Sequence, residues 1–96
     1  MASDAVGNWM RQAASDLRLA ELASAHALYD GACYHAQQCA EKALKAVLIH
    51  VDEAAPWGHA VHELALRINT LFDTSVFTDD DIDDFKVLAQ FVASAR

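Results

Sequence analysis

Apolar residues recur along this chain at intervals of three and four rather than two, and β-branched residues are sparse. That periodicity belongs to helices with one buried stripe, so the chain reads as all-α. Four segments carry it: Asn8 to Ala25, Ala32 to His50, Val61 to Phe72 and Asp79 to Ala95. The links between them are HALYDG, VDEAAPWGHA and DTSVFT, with turn chemistry at Asp30-Gly31 and Pro56-Trp57-Gly58. Thr78 is a good N-cap for the fourth segment, and Asp79, Asp80 and Asp81 then favour the positive end of that helix. Short links favour antiparallel neighbours, so the pattern predicts an up-down four-helix bundle in a single domain spanning 1–96.

Composition narrows this picture. The hydrophobic content is 54%, but alanine supplies much of it, which implies a thin, closely packed core. A domain of 96 residues buries a smaller fraction of its surface than a larger one. Apolar area is therefore expected to be covered by self-association, most simply a two-fold homodimer. The net charge of −7 argues against sequence-independent binding to duplex DNA. The first 51 residues hold five acids and four Lys/Arg, the remainder nine and three, so the first half is near neutral. No apolar run is long enough to span a bilayer, and no signal peptide is evident. Cys33 and Cys39 are too far apart along one helix to bridge. Free thiols in a cytoplasmic protein are the plain reading.

The polar positions raise sharper questions. In the second helix Cys33, Ala36, Ala40, Leu44, Val47, Leu48 and Val51 share an apolar arc. Gln38, Lys42 and Lys45 lie opposite, Glu41 at the boundary and Gln37 nearer the apolar side. Glu41 precedes Lys45 by four, the favourable order for a surface pair worth a few tenths of a kcal/mol. In the first helix Trp9, Ala13, Leu17, Ala20, Ala23 and Ala27 share a face, and Asp16 falls inside it. A lone buried carboxylate is costly, so Asp16 should have a Lys or Arg partner on a facing helix, or lie near an exposed terminus. His35 with Cys39, and His59 and His62 with Glu63, have spacings that could share a metal. Neither supplies the usual four-ligand zinc framework, so no metal is expected. No glycine-rich phosphate loop is present, and no cofactor is implied.

Taken in order, Trp9, Asp16-Leu17, YHAQQCAEKALKAVL and Gly58-His59 followed by Leu64 resemble the prokaryotic HEPN domain family. The stretch QQCAEKALKA is similar to that family's Gln–x–x–Glu–Lys–x–x–Lys–Ala core, here Gln38, Glu41, Lys42, Lys45 and Ala46. The resemblance covers nearly the whole chain. It implies a bundle of four or five helices, commonly dimeric and often encoded beside a minimal nucleotidyltransferase in toxin–antitoxin pairs. Many members are metal-independent endoribonucleases, and others are non-catalytic binding modules. The family's Glu/Asp-x3-Lys/Arg/His element matches Glu41 and Lys45. Gln38, Glu41, Lys42, Lys45, His59 and Arg96 thus become candidates for nucleotide, RNA or partner contact.

The ribonuclease members carry an Arg-x4-6-His motif late in the chain. Arg96 resembles its arginine, but it is the last residue of the sequence and no histidine follows. The proton-transfer group is then missing from the chain as it stands. The expectation is a helical module that binds a partner protein, and in some settings nucleotide or RNA, without catalysis. The alternatives are a ribonuclease toxin whose motif is cut off after Arg96, with Arg96 contacting phosphate and Glu41 and Lys45 in support, and a plain helical dimerisation domain.

Overall fold

A computed structural model describes residues 2–51, 60–73 and 75–91. It contains four helices and, among the described residues, no strand: α1 (Ala2–Ala25), α2 (Tyr29–His50), α3 (Val61–Phe72) and α4 (Asp79–Ala89). The all-α, four-helix reading of the sequence holds. The third helix has the bounds expected for it. The fourth closes at Ala89, with Gln90 as its C-cap in a turn, short of the expected continuous run to Ala95, and residues 92–96 lie outside the described residues.

The first two helices are longer than their apolar periodicity indicated: α1 begins at Ala2 instead of Asn8, and α2 at Tyr29 instead of Ala32, because the turn between them is tighter. Asp30 and Gly31 are not turn residues but lie in the first turn of α2, where the Asp30 carboxylate suits the helix dipole. The chain reverses at His26–Leu28 instead. Ala27 adopts the left-handed conformation at φ 58°. Leu28 N–H reaches back to the Ala23 carbonyl at 2.8 Å, and Ala27 N–H to that of Ser24 at 3.0 Å. These two bonds form a Schellman closure, which normally places glycine where Ala27 stands. A left-handed alanine costs on the order of 1 kcal/mol. Ala27→Gly should therefore stabilise the fold by about 0.5–1 kcal/mol, read as a higher urea midpoint. A lower midpoint would show that Ala27 carries no such strain.

α4 starts as its sequence predicts. Thr78 Oγ1 accepts from Asp81 N–H at 3.1 Å, and Asp81 Oδ2 accepts from Thr78 N–H at 3.0 Å. This reciprocal box accounts for part of the acidic run as a helix start. Asn69 of α3 fixes the preceding loop: its side-chain amide donates to the Phe77 carbonyl and accepts from Phe77 N–H, both at 2.9 Å. Phe77 then packs edge-on against Phe85 of α4.

α2 is the central element. One side of it, with Leu44 and the fully buried Leu48, packs on Val61, Leu64, Ala65 and Ile68 of α3 and Ile82 of α4. Its other side carries α1, which packs on no other described helix. The two run antiparallel, since Trp9 near the start of α1 meets Lys45 late in α2, and Ala23 stands beside Gly31. Small side chains line this seam: Ala13, Ala20 and Ala46 are buried in it. Because a single neighbour covers α1, its buried stripe is narrower than the sequence implied. Leu17, roughly 70° from the stripe's centre, is half exposed, and Ala27 is exposed past the helix end.

Candidate functional site

Asp16 lies within the α1–α2 seam, on the stripe where the apolar pattern placed it, and is only 7% exposed. Both of its oxygens are engaged from α2. Lys42 Nζ donates to Oδ2 at 2.7 Å, and His35 Nδ1 lies 2.9 Å from Oδ1. His35 and Lys42 are seven residues apart, two helical turns, so one face of α2 brings both to the same carboxylate. Burial pushes the Asp16 carboxyl upward, but hydrogen bonds from Lys42 and His35, together with their charges, outweigh it. The carboxyl is held below its ordinary value and is ionised near neutrality. A carboxylate can only accept, so the proton in the His35 contact resides on Nδ1.

A second chain of contacts runs along α2 itself. Gln38 Nε2 donates to Gln37 Oε1 at 2.8 Å, and Gln37 Nε2 donates to Glu41 Oε1 at 3.2 Å. Lys45 Nζ closes the chain on Glu41 Oε2 at 3.0 Å. Gln37 is 1% exposed, in line with its expected place near the apolar side. Lys45 also sits 5.6 Å from the centre of the Trp9 ring, close enough for a cation–π contact with α1. The two chains interleave on successive turns of one helix.

This corrects the expectation that Gln38, Lys42 and Lys45 form a solvated arc. Lys45 is buried and Gln38 and Lys42 are half-buried, because α1 lies over that arc. Glu41 and Lys45 are not a surface pair. The aliphatic stem of Lys45 packs under α1 while its ammonium is satisfied by a carboxylate and an aromatic face. The Lys partner expected for Asp16 is Lys42. The role of His35 beside it was missed, although its spacing of seven from Lys42 is a readable signal. His35 is drawn to Asp16 and does not join Cys39 in a metal cluster. Among the described residues no three His, Cys, Asp or Glu side chains stand together as ligands. Burial and the nearby Asp16 charge push the Cys39 thiol up, partly offset by Lys42, which keeps it protonated and a weak nucleophile. His59 and Arg96 lie outside the described residues, as does most of the Pro56-Trp57-Gly58 link.

With this geometry in place, the comparison with known families is direct. A HEPN domain model matches residues 6–96, and the chain belongs to the HEPN domain family. No curated protein and no solved structure matches it. No described helix is long and apolar enough to cross a membrane.

Proposed function

We propose that this HEPN domain is a binding module that acts through association, first with a second copy of itself across α1 and then with a partner protein. A minimal nucleotidyltransferase in a toxin–antitoxin pair is the partner the family resemblance favours. The observation that carries this reading is the surface of α1. The helix has one described neighbour, and Met10 and Leu17, seven residues apart on one flank, are each about half exposed. A two-fold contact along that flank would remove the exposed half of both side chains from water, worth about 1 kcal/mol for each.

Contact of Lys42 and Lys45 with nucleotide or RNA phosphate is the weaker reading. Each amine already holds a carboxylate, so a phosphate would have to displace Asp16 or Glu41. Light scattering at micromolar concentration tests the association. The parent should run at twice its monomer mass of 10.5 kDa, and Leu17→Asp should run at that monomer mass with unchanged helix content. A parent that is monomeric throughout would remove the proposal.

A further inference from the structure

The opposite flank of α1 carries a feature that self-association does not use. Leu19, Leu22 and Leu28 wall a groove of about 340 Å³ at the α1–α2 corner, and His26 and His35 line it too. His35 is the imidazole whose Nδ1 is committed to Asp16. The buried carboxylate sets both the tautomer and the orientation of the ring, and Lys42 on the other oxygen keeps that carboxylate ionised. In a neutral ring so held, Nε2 is the acceptor. No other described residue engages His35 through a hydrogen bond or ion pair, so that lone pair is available to a ligand.

We propose that this groove binds a small uncharged aromatic molecule bearing one O–H or ring N–H. The ring rests on the three leucines, and its donor is accepted by His35 Nε2. The volume lies at the lower end of the range for ligand cavities and suits one or two fused rings. No Lys or Arg lines the groove, and Asp16 stands behind His35, so an anion gains nothing there. The site is independent of the Met10–Leu17 flank, and Leu17→Asp should leave it intact.

The test is a titration of the full chain followed by the imidazole nitrogen resonances of His35, with phenol and indole as probes and benzene and benzoate as controls. Phenol and indole should shift Nε2 saturably at millimolar concentration. Benzene should bind about tenfold more weakly, the affinity equivalent of one lost hydrogen bond, and benzoate should not bind. Leu22→Glu places a charge at an exposed position, so the fold should survive while phenol binding is lost. Asp16→Asn should weaken phenol but not benzene, because an amide no longer forces the Nδ1–H tautomer. The proposal is overturned if phenol and benzene bind equally, if no probe gives a saturable shift, or if Leu22→Glu leaves the phenol titration unchanged.

Discussion

Asp16→Ala should lower the free energy of unfolding by about 2–3 kcal/mol. The carboxylate is the one buried acid in the α1–α2 seam, and two side chains of α2 converge on it. Removing it leaves an ammonium and an imidazole facing small apolar groups. The loss stays below that of a fully enclosed pair because the Lys42 and His35 side chains are 22% and 30% exposed and can turn toward water. The pH dependence has a definite sign. The folded carboxyl titrates below its ordinary value of 3.8, so its contribution is complete above 3.8 and is lost as pH falls through the lower folded value. Urea midpoints for parent and variant should differ near neutrality and converge only in strong acid. Equal midpoints near neutrality would show that Asp16 does not tie the helices.

Lys45→Ala should cost about 1–2 kcal/mol. Its side chain is 7% exposed, and it neutralises Glu41 while lying near Trp9. Truncation leaves Glu41 with the neutral donor Gln37 and opens space under α1. A solvated helix pair of the same spacing would contribute less than about 0.5 kcal/mol, so the denaturant midpoint separates the two cases. Lys45→Met should recover part of the loss by restoring the stem without the charge. A change below that smaller value for Lys45→Ala would return Glu41 and Lys45 to an ordinary surface pair.

The fold was readable where a helix has one uninterrupted apolar stripe or a clear cap. α3 matches its expected bounds, and the Thr78 box opens α4 as its residues indicate. The α1–α2 turn was misplaced because Asp30-Gly31 carries stronger local turn chemistry than Ala27, the residue that takes the left-handed conformation. The site was half legible. An acid on an apolar stripe pointed to Asp16 and to a lysine partner, because a buried carboxylate must be paired. The environment of Lys45 was not legible. A polar arc on a helix looks solvated unless one knows that the helix is central and covered on both sides. Trp9 was read as core, and its proximity to Lys45 follows only from the antiparallel register of α1 on α2.

The central claim is that the polar residues of α2 hold α1 in place, and are not a solvated face or a phosphate grip. The most direct measurement is a double-mutant cycle on Asp16 and Lys42, read from unfolding free energies of the parent, Asp16→Ala, Lys42→Ala and the double variant. A clasp predicts a coupling energy of about 1 kcal/mol or more, with the double variant less destabilised than the sum of the two single losses. Additivity to within about 0.3–0.5 kcal/mol, the behaviour of independent sites, would contradict it.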